Sequence, residues 1–311
     1  MKKLALLALA ALAASPLAAQ RGAAPFTVEE TGQGFGHLQE AVAAIGSGDG
    51  TIQIAPGTYR QCAVQTAGRV AYVATEPGSV VFDGTVCEGK AALVLRGREA
   101  SVEGLTFQNM RVRDGNGAGI RIEKGNLSVS ESMFRDSESG ILSAADAGGK
   151  IRVEQSTFSG LGRCDRGLSC AHSIYIGEYG ALSVVRSRFE RGTGGHYVKS
   201  RAPMIEVSDS SFDDTGGHAT NYMIDLSIGA RGRIAGNRFV QGRDKENYSA
   251  FIMVAAEGHK NSADGLAVSG NDARLAPGVE HPTSFVADAS GDSIALDGNR
   301  LGARIRAFER R

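Results

Sequence analysis

Along most of the chain, apolar and polar residues alternate in short runs, as in TIQIAPGTY, IRIEKGNLSV and LSVVRSRF. A period of two predicts strands with one buried face. A short phrase returns between these runs: EGLTFQN, SESMFRDS, EQSTFSG, VRSRFERG, SDSSFDDT and AGNRFVQG, with weaker copies in SGNDARL and LDGNRLG. Its phenylalanines are Phe107, Phe134, Phe158, Phe189, Phe212 and Phe239, separated by 27, 24, 31, 23 and 27 residues. A period in the twenties marks a solenoid. Each period holds about three short strands and leaves no room for a helix, and the leucine-asparagine consensus of leucine-rich repeats is missing.

These features predict an all-β fold, a right-handed parallel β-helix in one domain spanning about 34–305. Coils then stack at about 4.8 Å, the spacing of neighbouring strands. One coil cannot bury its inward face alone, so the ends need caps. The segment GHLQEAVAAIGSGDG supplies the first cap: Leu38, Val42 and Ile45 recur at helical spacing, and the glycines from Gly46 to Gly50 end the helix. Residues 20–33 read as an N-terminal extension and 306–311 as a C-terminal tail.

The first nineteen residues stand apart. Lys2 and Lys3 precede an apolar run from Leu4 to Ala14, then Ser15-Pro16 and the small-residue end Leu17-Ala18-Ala19. This pattern predicts a secretory signal peptide over 1–19, of bacterial type, and export to the periplasm or beyond. The run is shorter than the roughly 20 residues that span a bilayer, and no later segment is apolar enough to do so. The 311 residues carry 34 basic and 34 acidic side chains, a balance that speaks against a nucleic-acid partner. Forty-two glycines and no tryptophan fit many tight turns. Four cysteines suit an oxidising space. They allow three connectivities, of which the local one, Cys62–Cys87 with Cys164–Cys170, is expected. No Cys-x-x-Cys is present, so no zinc site and no cofactor are expected.

The run LQEAVAAI…GDGTIQIAPGTY resembles the N-terminal cap and first coil of pectin-lyase-like β-helix proteins. The later series HSIYIG, GHYVKSRA and NYMIDLSIGARGRIAGN, followed by AAEG, is similar to a group of secreted bacterial β-helix repeat proteins. The resemblance covers about residues 34–275 and implies the fold. The bacterial repeat group itself has no established activity. Where that group has proline and Asn-Gly after Ile-Asp-Leu, this chain has Ser227, Ile228 and Gly229.

Aligning HSIYIG with HYVKSR places His172 on His196, Ile174 on Val198 and Tyr175 on Lys199, each 24 residues apart. The next coil, two residues longer, places Ile224 on Val198 and Asp225 on Lys199. Alternation then sends Ile174, Val198 and Ile224 inward and Tyr175, Lys199 and Asp225 outward, with Arg201 on the same outer face. For His172 and His196 two orientations stay open. Strict alternation turns them inward; a corner just before the strand turns them out to join the row.

Outward charges on a solenoid are ordinarily solvated, and Lys199–Asp225 reads equally as a surface ion pair. The chemical reading comes from the resemblance: many β-helix enzymes of the pectin-lyase-like fold cleave acidic polysaccharides by β-elimination, which implies that reaction here. That reaction needs a cation for the uronate carboxylate, a base for the adjacent C–H, and an acid for the leaving oxygen. Arg201 suits the carboxylate, Lys199 is the expected base, and Tyr175, His172 and His196 complete the candidate catalytic set, with Asp225 beside Arg201 in substrate binding. The second class is a non-catalytic β-helix that binds glycan or serves in the cell envelope. A groove walled by the CDRGLSC and RDKEN loops would favour the enzyme. Asp213-Asp214 and His218 read as turn residues. Asn237, Asn271 and Asn299 read as turn-formers or an internal ladder.

Overall fold

The recurring phrase is a corner. In every copy after the first a left-handed residue precedes a serine or asparagine: Glu131, Gln155, Arg186 and Asp209 have φ of 48°, 47°, 48° and 51°, and Gly236, Gly270 and Gly298 have 68°, 62° and 59°. The chain turns there from one sheet to the next. The following side chain tucks under the corner above and closes a ladder. Ser132 N–H donates to Ser156 Oγ at 3.2 Å, Ser187 N–H to Ser210 Oγ at 3.0 Å, and Ser210 N–H to Asn237 Oδ1 at 2.9 Å. Asn237 N–H then donates to Asn271 Oδ1 and Asn271 N–H to Asn299 Oδ1, so the asparagines form the internal ladder. Each rung satisfies a backbone donor that a sharp bend would otherwise leave buried and unpaired.

The computed structural model describes residues 24–311; residues 1–19, expected to be a signal peptide, lie outside the described residues. Three sheets of 12, 10 and 10 strands run the length of the molecule, and within each sheet successive rungs come from every third strand. The pairings between strands from Asp49 onward are parallel in all three sheets. This is a parallel β-helix, with one helix among the described residues, Leu38–Ile45. Leu38, Ala41 and Val42 of that helix are buried, and the Gly46 N–H, at φ 60°, closes it on Val42 O. Regular structure also lies outside the expected 34–305 span. Phe26–Val28 pairs antiparallel with Ile52–Ile54, and Ile305–Arg310 forms the last strand of the third sheet.

The core is a set of stacks. In the second sheet Phe82, Phe107, Phe134, Phe158, Phe189, Phe212 and Phe239 lie one above another with ring centroids 4.8–5.6 Å apart. Offset stacking at that spacing adds to area burial. In the third sheet Ile141, Ile174, Val198, Ile224, Ile252 and Val286 form the facing aliphatic column, all fully buried. Both expected disulfides are formed, Cys62–Cys87 and Cys164–Cys170. Among the described residues no helix is long and apolar enough to cross a membrane.

Candidate functional site

The outward row lies on the third sheet, in the strands Ile174–Ile176, Val198–Ser200 and Ile224–Leu226. Their register pairs Tyr175 with Lys199 and Lys199 with Asp225, as the 24-residue offset predicts. The two histidines resolve to the outer side. Each sits on the corner just before its strand, where alternation fails. At the second corner Tyr197 takes the inward place, packed edge-on between Phe189 and Phe212 at 6.2 and 6.3 Å. With Tyr197 and Val198 both inside, His196 faces out. The imidazoles of His172 and His196 stack at 4.9 Å, Tyr222 continues the column at 5.5 Å, and the Tyr175 ring meets His172 edge-on. The His196 N–H donates to His172 Nδ1 at 3.0 Å. A neutral His172 that accepts there carries its own proton on Nε2. His196 Nε2 lies 3.6 Å from Asp225 Oδ2.

Four charges interlock on this face. Lys199 Nζ donates to Asp225 Oδ2 at 2.9 Å and to one oxygen of Glu257, while Arg201 donates to the other. Ser227 Oγ also donates to Asp225 Oδ2. The Lys199 ammonium and the Arg201 guanidinium both lie over the Tyr175 ring, at 5.8 and 5.5 Å from its centroid. The side chains of Lys199 and Asp225 are 8% and 3% exposed, those of Arg201 and Glu257 36% and 39%. The face is therefore sealed at its floor and open at its rim. Among the described residues three buried atoms of this face have no hydrogen-bond partner: Asp225 Oδ1, Arg201 Nε and His196 Nδ1.

These surroundings fix the protonation states. Burial alone lowers the Lys199 pKa, but Asp225 and Glu257 outweigh it and raise the value above that of a free lysine. Burial, followed by the charge of neighbouring Lys199, pushes His196 down to about 3. Burial likewise takes His172 well below the ordinary imidazole range. At neutral pH the face holds one fixed ammonium and two neutral imidazoles. Lys199 is therefore a doubly paired ammonium, and the base role expected of it requires release of that pairing first. His172 Nδ1 spends its lone pair on the His196 N–H, so of the two imidazoles His196 is the one with a ring nitrogen free to accept.

A second buried cluster lies one corner away, and the sequence reading missed it. Asp214, read above as a turn residue, is fully buried. It accepts from Tyr197 Oη at 2.7 Å, from Thr220 Oγ1 at 2.9 Å, from Gly242 N–H at 3.2 Å and from Lys245 Nζ at 3.1 Å. Lys245 also donates to Thr220 Oγ1 and to Asn221 O. Its side chain has no exposed surface, and burial lowers its pKa. This cluster anchors Tyr197 and thereby the corner that presents His196. Parallel bridges tie Gly195, Thr220 and Lys245 into one column across three successive coils, a signal that a search for offsets near 25 could have found. Glu257, Tyr222 and Ser227 were also missed as site residues. Glu257 reaches the row from a turn 58 residues beyond Lys199, outside any strand register. The RDKEN loop meets the CDRGLSC loop, with Glu246 beside the disulfide sulfurs of Cys164 and Cys170. The cavity beside Cys164, about 440 Å³, is lined by Arg163, Thr193 and His218 and not by Lys199 or Arg201. His218 is exposed on that side and pairs with Asp244.

No protein-family model matches the chain, and no curated protein matches its sequence. Among solved structures the pectin methylesterase of Aspergillus niger, in deglycosylated form, has a TM-score of 0.47 and 10% identity, over 86% of this chain and 82% of that one. ORF18 of Geobacillus virus E2 has a TM-score of 0.46 and 14% identity over 88% of this chain, which spans 56% of the viral protein. The Streptococcus pneumoniae surface protein and adhesin PfbA has a TM-score of 0.39 and 12% identity over 88% of this chain and 94% of that one. None of the three transfers an activity to this chain.

Proposed function

We propose that this is an exported β-helix protein that acts on an acidic, uronate-containing polysaccharide by β-elimination, with the outer face of the third sheet as its site. The observation that carries the reading is the seat of Glu257. Lys199 and Arg201 converge on the two oxygens of one carboxylate above the Tyr175 ring. A site that binds one carboxylate in this way is shaped for another, and the uronate carboxylate takes the place of Glu257. Arg201 then anchors it and Lys199 neutralises it. His196, neutral at working pH, removes the proton next to the carboxylate, and His172 holds the His196 backbone in place. Tyr175 protonates the leaving oxygen as the C–O bond breaks and the double bond forms. The two disulfides fit export, as does removal of residues 1–19 as a signal peptide.

The test is a panel of uronate polymers incubated with the purified protein. Ultraviolet absorbance reports new unsaturated ends, and calorimetry reports binding. Absorbance should rise with one polymer. Arg201→Ala should weaken binding by about 10–150-fold, the equivalent of a charged hydrogen bond worth about 1.5–3 kcal/mol. His196→Asn should lower turnover by about 10²–10⁴-fold if it is the base. The sealed floor of Lys199 and Asp225 supports a second reading, a non-catalytic glycan-binding face. Saturable binding with no absorbance change selects that reading. No binding to any uronate polymer ends both.

A further inference from the structure

The two ends of the solenoid are finished differently. At the N-terminal end the helix Leu38–Ile45 and the antiparallel strand Phe26–Val28 seal the first coils, and Phe26 and Leu38 are fully buried. The opposite end is the coil formed by Ile294–Asp297, Arg300–Leu301 and Ile305–Arg310. Among the described residues each of these strands is the last of its sheet, and one row of its backbone donors and acceptors has no strand partner there. Its core residues Ile294, Leu296, Leu301, Ile305 and Phe308 are only partly buried. Their counterparts one coil earlier are Leu266, Val268, Ala273 and Val286, all fully buried, and Thr283 opposite Ile305, also buried. A solenoid end that shows both open edges and core side chains needs a cover.

We infer that this coil docks end to end on the same coil of a second copy, across a two-fold axis perpendicular to the solenoid. The argument is one of symmetry and charge. Such a rotation reverses the direction of winding, so every edge strand meets a strand of the second copy antiparallel. Let the axis pass through the Gly298–Asn299 corner and, on the opposite side of the coil, between Ala307 and Phe308. Leu296 then faces Leu301 of the partner subunit, Asp297 faces Arg300 of the partner subunit, and Arg306 faces Glu309 of the partner subunit. Each pairing occurs twice, as an isologous contact requires. One apolar pair and two ion pairs fall in place from a single choice of axis. An edge built only to repel would set like charges opposite each other.

The two arginines are free to engage, while Glu309 already accepts from Ser284 Oγ at 2.6 Å and keeps 31% of its side chain exposed. Arg300 is 83% exposed and only rests 3.2 Å from Asp272, and Arg306 is 65% exposed, 3.5 Å from Glu309 on its own strand. One facing pair is unfavourable, Arg304 with Arg311 of the partner subunit. Arg311 is already turned back towards Ser249, Tyr222 and Met253.

Sedimentation of the full chain tests this. A reversible dimer is expected, with its fraction rising with concentration. Arg306→Glu sets a new carboxylate against Glu309 of the partner subunit, twice per interface, and should weaken the dimer about tenfold or more. The swap R306E/E309R restores complementary facing pairs and should recover most of that loss. Circular dichroism of each variant confirms that the fold is kept. A monomer at every concentration overturns the inference. So does a dimer indifferent to both variants, or a ladder of larger oligomers, which would mean head-to-tail stacking.

Discussion

Two buried lysine–aspartate pairs lie close together on this β-helix, and they are built to opposite ends. Lys245 and Asp214 are wholly enclosed, and Tyr197, Thr220, Gly242 and Asn221 supply the remaining hydrogen bonds from inside the fold. Lys199 and Asp225 share a floor whose rim is open: Asp225 Oδ1 has no partner, and Glu257 stands between the lysine and solvent. Both pairs are desolvated, yet the consequences differ. Burial lowers the Lys245 pKa, whereas a second carboxylate raises that of Lys199. A closed pair fixes a corner. A pair with a spare acceptor and a replaceable partner can exchange that partner for a ligand.

The closed pair should give the largest effect on stability. Lys245→Met leaves Asp214 charged and enclosed, a loss of about 3–5 kcal/mol for a broken buried pair. Urea denaturation measures it. Adding Asp214→Asn removes the stranded charge, so the double variant should be more stable than Lys245→Met alone. A double variant as unstable as the single would mean that packing, not charge, governs the corner.

The open face should dominate the response to acid. His172 and His196 have folded-state pKa values far below the ordinary imidazole value, His196 at about 3. Below about pH 6.5 the unfolded chain binds protons that the folded chain refuses. The stability they support is complete above that pH and is lost progressively as pH falls towards the folded values. The slope is about 1.4 kcal/mol per pH unit for each imidazole, so the pair should cost roughly 2–3 kcal/mol between pH 6 and pH 5. Denaturant midpoints across that range measure it. The variant His172→Asn/His196→Asn should flatten the profile, and an unchanged slope would place the proton uptake elsewhere.

Lys199→Met should be milder than Lys245→Met, at about 1–3 kcal/mol. Arg201 still pairs with Glu257, and the His196 ring lies 3.6 Å from Asp225 and can take a proton. Loss of the neighbouring positive charge should also raise the His196 pKa, read by NMR titration of the ring. A cost equal to that of Lys245→Met would erase the distinction between the two pairs.

Most of the coil architecture was legible because it lives on strands. The phenylalanine column follows from a repeated side-chain direction, and so does the Tyr175–Lys199–Asp225 register. Corners are another matter. A left-handed or bent residue resets alternation, so the outward turn of His196 depended on Tyr197 having Asp214 to satisfy its hydroxyl within the core. Insertions hid the rest. Lys245 lies 31 residues beyond Asp214 and Glu257 58 beyond Lys199, and both arrive from loops whose length the coil period does not set. The second carboxylate at Lys199 escaped the strand pattern for the same reason.

Glu257→Gln should have the smallest effect on stability and the most informative effect on binding. The side chain is 39% exposed, and a pair this wet contributes about 0.2–1 kcal/mol, so unfolding midpoints should scarcely move. The local charge changes more. Lys199, Arg201, Asp225 and Glu257 sum to zero; the amide leaves one net positive charge and a weaker occupant between the two cations. A uronate oligomer then meets less competition for Arg201, and its affinity should rise severalfold, measured by calorimetry at low salt. The gain should shrink at high salt, because rim charges are screened. If Glu257 is instead part of the floor that keeps Lys199 buried, the variant should lose stability like Lys199→Met and gain no affinity. That outcome would make the second pair as closed as the first, and would remove the seat of Glu257 as the place where a ligand carboxylate enters.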